Sequence, residues 1–228
     1  MPRFAVIGLG RFGRKLAQLL TQAGAEVIAV DNDTDIVQRI RDEVTLAVRM
    51  DGTDEQALLS QGVDKVDCAV VGIGADFEAN VLTVSTLKKI GVSRVIARAG
   101  SGVRGEILKR VGADDVVLPE DESAARWSNH LMMPQIAEFM DLDDKHSLVQ
   151  VPAPNAFVDK TPRELDLRAK LKLNLVAIRR PLPEKGRAGR ADKRWRLIAV
   201  PDPDGPIAPG DVLVLIGTNE SLARLPGD

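Results

Sequence analysis

The feature that most limits the fold of this chain stands at its start. The apolar run Phe4-Ala5-Val6-Ile7 passes directly into Gly8-Leu9-Gly10-Arg11-Phe12-Gly13, and Leu16, Leu19, Leu20 and Ala23 follow at helical spacing. A GxGxxG string alone is weak, but between a strand and a helix it has a physical meaning. Gly8 permits the tight turn, Gly10 lets backbone N–H groups approach phosphate oxygens, and Gly13 lets the helix lie close to the strand. The free N–H groups and dipole of the helix N-terminus favour an anion, and Arg11 at the mouth of the loop is placed to touch a phosphate. A second apolar run, Val27 to Val30, ends on Asp31 and Asn32. Such folds place there, about 20 residues after the glycines, an acid that binds an adenosine ribose and repels a 2′-phosphate. Asp31 could instead cap a helix ahead of Thr34. The combined pattern predicts an adenine-nucleotide site, and NAD, ATP, ADP and AMP all share the half that it reads.

Six short β-rich runs recur in the first half: Phe4 to Ile7, Val27 to Val30, Thr45 to Val48, Cys68 to Val71, Arg94 to Ala97 and Asp115 to Leu118. Helical patterns alternate with them, as in Val81, Val84, Leu87 and Ile90. Strands that are almost wholly apolar need cover on both faces, so the expected fold is α/β, a Rossmann-type doubly wound parallel sheet. Ligands bind such sheets beyond the carboxyl ends of the strands. Those ends carry Asp51-Gly52-Thr53, Gly72-Ile73-Gly74, Arg98 and Glu120. Each also reads as ordinary turn chemistry.

A chain of 228 residues accommodates two domains. The expected division is a nucleotide-binding domain over 1–120, a linking or dimerisation helix over 121–143, and a small α+β domain over 144–228. Glu122 to Met140 reads as one helical stretch, kinked at Pro134. Its methionines 132, 133 and 140 suit either a subunit contact or packing on the parent domain. The last part predicts strands at Ser147 to Val151, Asn174 to Ile178, Arg196 to Val200 and Asp211 to Ile216. A helix is expected over Thr161 to Lys170, with Thr161 as its cap, and another over Asn219 to Leu225. So small a domain suits pairing with a copy of itself. Pro181 to Lys193 reads as a solvated loop; with its flanks from Arg179 to Arg196 it holds eight Lys and Arg against two Glu and Asp.

The formal net charge of −2 gives no global reason to expect a nucleic-acid partner. The single cysteine, Cys68, rules out an internal disulfide and suits a reducing compartment. With strand pattern from Arg3 onward, no signal peptide is expected, and no apolar run approaches the roughly 20 residues that cross a bilayer. Hydride transfer needs a proton donor near the nicotinamide, yet the chain has no tyrosine, and His130 and His146 lie away from the strand ends. The expectation is a site that senses and does not catalyse. The competing expectations are an NAD-dependent oxidoreductase and an NAD(H)-responsive redox sensor.

The glycine loop with Val30-Asp31, Gly72-Ile73-Gly74, Ile107 to Asp114 and Pro119-Glu120 resembles RCK regulatory subunits of bacterial potassium uptake systems, the KtrA and TrkA family, KtrA above all. Val151-Pro152, Phe157 to Thr161, Arg163-Glu164-Leu165, Val176 to Arg180 and Gly210 to Leu213 are similar to its C-terminal subdomain, so the likeness covers nearly the whole chain. The resemblance implies a cytosolic protein whose homodimers assemble into an octameric gating ring. That ring would control a KtrB- or TrkH-like membrane subunit, reach the membrane only through it, and respond to ATP against ADP. It implies that Arg11 reads the terminal phosphates, Asp31 the ribose, and Asp51 and Gly52 the adenine. Gly74 and Arg98 would face the phosphates, with Phe12, Asn32 and Ile73 completing the contacts. Glu120 would hold a divalent cation, Mg or Ca. The family pattern has Lys where this chain has Arg98, and Asn where it has Asp76. Relatives also bind cyclic di-AMP in the C-terminal domain, which points here to Arg168 and the Leu175-Val176 strand.

Overall fold

A computed structural model of the chain describes residues 1–132, 136, 138–182 and 195–226. These divide into two compact units, 1–123 and 124–228. In chain order the first holds β1 (Arg3–Ile7), α1 (Arg11–Gln22), β2 (Glu26–Asp31), α2 (Thr34–Ile40), β3 (Leu46–Arg49), α3 (Glu55–Ser60), β4 (Cys68–Val71), α4 (Phe77–Lys89), β5 (Val95–Arg98), α5 (Gly102–Val111) and β6 (Asp115–Val117). The six strands form one parallel sheet in the order β3-β2-β1-β4-β5-β6. This is the Rossmann-type sheet that the alternating pattern predicts.

The period of two along each strand decides which core a side chain joins. From β1 and β2, Ala5, Ile7, Ile28 and Val30 face Leu58, Val84, Leu87 and Leu108 of α3, α4 and α5. Val6, Val27 and Ala29 face the opposite way, toward Ala17 of α1 and Val37 and Ile40 of α2. The helices thus cover both faces. Between β1 and β4 the sheet reverses its direction of growth, and a crevice opens there at the strands' carboxyl ends.

The helix α6 (Pro119–Met132) begins in the first unit, and the second continues with β7 (Glu138–Asp141), β8 (His146–Pro152), α7 (Pro162–Leu165), α8 (Leu167–Leu171), β9 (Asn174–Pro181), β10 (Trp195–Ile198), β11 (Val212–Thr218) and α9 (Asn219–Leu222). Its antiparallel sheet runs β10-β9-β11-β8-β7. Val149, Val151, Ile178, Leu213 and Leu215 of the sheet pack against Leu165, Leu167 and Leu222 of the short helices. This is the small α+β domain expected.

The structure corrects two helices. Glu122 to Met140 is not continuous helix: α6 ends at Met132, and Phe139 and Met140 lie on the strand β7, paired with Val149 and Leu148 of β8. A run such as Glu138-Phe139-Met140 suits either conformation, and antiparallel pairing with β8, the next strand across a short turn, decides. Thr161 does cap its helix in a capping box with Glu164, but the helix to Lys170 is broken at Asp166, which adopts φ 44° and caps α8. Pro134, Met133 and most of the basic loop, 183–194, lie outside the described residues; Met132 and Met140 are exposed.

Candidate functional site

A cleft of about 910 Å³ lies at the carboxyl ends of the parallel strands, within the roughly 300–1,000 Å³ of small-molecule sites. It is built on the glycine loop. Gly8 adopts φ +88°, and a Cβ there would stand 2.8 Å from the Ile73 backbone nitrogen. A Cβ on Gly13 would stand 2.0 Å from the Gly8 carbonyl oxygen, so that glycine is what allows α1 to seat against the loop. Gly10 has nothing within 4 Å of its would-be Cβ, so no protein packing calls for a glycine there. Its bareness leaves the backbone open to a ligand.

The helix starts in the first unit sharpen this contrast. Asp33, Asp54, Asp76 and Ser101 cap α2, α3, α4 and α5 with side-chain oxygens. On α1 no side chain caps the N-terminus and no acid sits in the first turn. The residues at this helix start, Gly10, Arg11 and Phe12, line the cleft, where uncapped N–H groups and the helix dipole favour a phosphate.

Asp31 closes the loop from the side of β2: its Oδ2 accepts from the Leu9 N–H at 2.6 Å and its Oδ1 from the Asp33 N–H at 3.0 Å. The helix cap considered for Asp31 belongs to Asp33, which accepts from the N–H groups of Asp35 and Ile36. Asp31 is left on the cleft, where a carboxylate with unused lone pairs can accept ribose hydroxyls.

Of the expected contacts, Gly8, Gly10, Arg11, Phe12, Asp31, Asn32, Gly52, Ile73, Gly74, Arg98 and Glu120 all line this cleft. Gly13 and Asp51 do not. Gly13 acts behind the loop, and the Asp51 carboxylate accepts from the N–H and hydroxyl of Thr53, which hold it below the usual carboxylate range. The cleft adds Lys15, Ile36 and Met50, which pattern reading passed over, and Leu16 and Leu19, which it read only as the apolar face of a helix. Lys15 and Leu19 follow Arg11 at intervals of four, so one face of α1 carries all three, and that spacing was the available signal. Leu19, Ile36 and Met50 give an apolar wall suited to a purine face.

At the far end, Arg98 Nη2 donates to Glu120 Oε1 at 2.5 Å, which holds the Glu120 carboxyl below its ordinary value. The Asn80 side chain, 2% exposed, donates to the carbonyls of Ile73 at 2.7 Å and Arg98 at 2.9 Å, tying the ends of β4 and β5 together. Among the described residues no cluster of three or more His, Cys, Asp or Glu is arranged to hold a metal ion. The two histidines are elsewhere, His130 edge-on to Trp127 and His146 against Asp143. Cys68 is buried, and burial pushes its thiol pKa up, as for a structural cysteine.

Comparison with known proteins places both halves. The TrkA-N domain family matches residues 4–119, and the TrkA-C domain family matches residues 147–225. The chain is 34% identical over 221 residues to the Ktr system potassium uptake protein C of Bacillus subtilis (strain 168), covering 97% of this chain and 94% of that one. With the Ktr system potassium uptake protein A of the same organism it is 29% identical over 226 residues, covering 99% and 96%. A solved structure of the GsuK channel bound to NAD shares the fold, with a TM-score of 0.59 at 19% identity. The superposition takes in 100% of this chain but only 40% of the channel's.

Proposed function

Because this chain belongs to the family of potassium uptake proteins built from a TrkA-N and a TrkA-C domain, we propose that it is the cytosolic regulatory subunit of a potassium uptake system, governed by an adenine nucleotide. The observation that carries the nucleotide part is the loop at Gly10: a helix start left without a cap, beside a glycine that no neighbour requires, with Asp31 fastened to the same loop.

The chain's own groups divide the work. The first N–H groups of α1 take the inner phosphates, Asp31 takes the ribose, and Leu19, Ile36 and Met50 flank the purine. A ligand shifts a conformational equilibrium only by its differential affinity for the two states. ATP and ADP share everything except one phosphate, so only groups that reach that phosphate can tell them apart. Arg11 and Glu120 are our candidates, Glu120 by way of a divalent cation. One carboxylate is a poor cation site on its own, so phosphate oxygens and a second copy of the chain would complete it. Among the described residues no helix is long and apolar enough to cross a membrane, which supports contact with the membrane through a channel or transporter subunit. Homodimers assembled in an octameric ring are the form we propose for that contact. In the second unit a cleft of about 440 Å³ is lined by Arg163, Asp166, Arg168 and Leu175, which supports that region for cyclic di-AMP.

The names of the relatives point away from catalysis. NAD and NADH share the adenosine half and form the alternative ligand class, as a redox signal. Thermal-shift titration of the whole protein with ATP, ADP, NAD and NADH, with and without Mg or Ca, separates the readings through ligand stabilisation. ATP and ADP should raise the melting temperature most; an NADH preference accompanied by turnover would sink the proposal. Arg11→Ala should cost ATP about tenfold in affinity, roughly 1.4 kcal/mol, and leave ADP nearly unchanged. Equal losses for both nucleotides in calorimetry would show that Arg11 reads a shared phosphate.

A further inference from the structure

Shared affinity for adenosine does not account for one arrangement in the cleft. Arg98 ends β5, and its guanidinium folds back over the β4 end so closely that a Cβ on Gly74 would stand 1.6 Å from Nη1. It therefore lies over the end of β4, the strand next to the one that leads into the glycine loop. The Arg98 side chain is 20% exposed, its Nε is buried without a partner among the described residues, and its main chain is pinned by Asn80. The anion facing it is held far less firmly. Glu120 has a side chain 67% exposed, and it belongs to the first turn of α6. A fixed cation with spare donor capacity thus faces an exchangeable carboxylate, inside a cleft whose loop is built for phosphate.

We propose that Glu120 is a resident competitor for the anion that Arg98 is placed to bind, and that the outer phosphate of a nucleoside di- or triphosphate takes Arg98 by displacing Glu120. The proposal rests on the nucleotide reading of this cleft and adds which residues measure the length of the phosphate chain. The physical argument is one of exchange. A guanidinium offers a planar fork of donors that fits carboxylate and phosphate alike, so one can replace the other without rebuilding the site. The displaced carboxylate then lies beside phosphate oxygens of like charge, which opposes binding until a cation sits between them. Glu120 therefore works against the nucleotide in cation-free buffer and with it when a divalent cation is present. Because Glu120 lies in the first turn of α6, the exchange also frees that turn of its tie to β5.

The test is calorimetry on the full chain with AMP, ADP and ATP, in EDTA and in Mg, comparing wild type with Glu120→Gln and Arg98→Gln. In EDTA, Glu120→Gln should strengthen ADP and ATP by about tenfold and leave AMP unchanged; in Mg that gain should vanish for ADP and reverse for ATP, whose terminal phosphate is the one a cation would share with Glu120. Arg98→Gln should weaken ADP and ATP by a similar factor and spare AMP. Unchanged or weaker ATP binding by Glu120→Gln in EDTA overturns the competitor role. Failure of wild type to bind even AMP overturns the nucleotide reading beneath it, so the two failures are told apart. An exposed ion pair contributes little to folding, so unliganded Glu120→Gln should melt close to wild type, and the melting curve verifies this directly.

Discussion

Gly13→Ala should unfold the first unit at a temperature on the order of 10 °C below wild type, while Gly10→Ala melts normally and loses nucleotide. The two glycines stand three positions apart in one motif, yet their surroundings differ completely. At Gly13 a methyl would lie 2.0 Å from the Gly8 carbonyl oxygen, with Val6 Cγ1 also within 3.4 Å. Backbone cannot yield as a flexible side chain can, so α1 must lift off the loop, at the upper end of the roughly 1–3 kcal/mol that overpacking costs. A domain of this size loses several degrees of melting temperature per kcal/mol. At Gly10 the backbone φ is −58° and a methyl meets no protein atom, so the fold has no reason to respond. The methyl would occupy the space where phosphate oxygens approach the N–H groups, and nucleotide affinity should fall by at least about tenfold. Far-UV circular dichroism and nucleotide titration on the same two variants decide the matter. If Gly10→Ala binds as wild type does, the phosphate is not at this loop.

The second large effect is expected in the other unit, at Asp211. This carboxylate is fully buried and accepts from Arg180 Nε at 2.8 Å, Arg180 Nη2 at 2.7 Å and the Ala208 N–H at 2.8 Å. Its backbone carbonyl accepts from Ala153, so one residue joins β9, the end of β8 and the turn before β11. Arg180 keeps 36% of its side chain exposed, so Asp211→Ala leaves a cation that water reaches in part, and the loss is that of three hydrogen bonds to a buried carboxylate, about 2–4 kcal/mol. Asp211→Ala should therefore remove a large part of the second unit's stability. Both tryptophans, Trp127 and Trp195, belong to that unit. Their fluorescence during denaturation follows it alone, and the first unit's transition by circular dichroism should stay in place. Coincident loss of both transitions would mean that the units unfold as one body. The double variant Arg180→Met with Asp211→Leu should recover part of the loss, because apolar packing can replace an ion pair whose carboxylate is buried.

The legible parts of this protein share a cause. The glycine loop could be read because its requirements are local: a turn of positive φ at Gly8, a close approach at Gly13, a bare helix start at Gly10. The parallel sheet could be read because strands buried on both faces are apolar throughout, as in Val27 to Val30. The capping box at Thr161 and Glu164 spans only four residues, and it too was visible. Asp31 was visible by position, but its fastening to Leu9 was not, since that bond joins residues far apart in the chain.

What escaped the sequence has the opposite character. β7 exists because Phe139 pairs with Val149 of the following strand, and nothing within Glu138 to Asp141 alone dictates that pairing. Asp31 closes β2 and Asp51 lies just past the end of β3, yet Asp51 turns onto Thr53 and Asp31 faces the cleft. Arg98 and Glu120 belong to different elements, and Asn80 reaches the Arg98 carbonyl from a third. By itself the sequence determined the two folds, the glycine loop and the acid beside it, because backbone sterics and burial patterns act over a few residues. Only the tertiary structure decided which charges meet in the cleft, because a charge pair depends on a few ångströms of through-space distance that no spacing along the chain records.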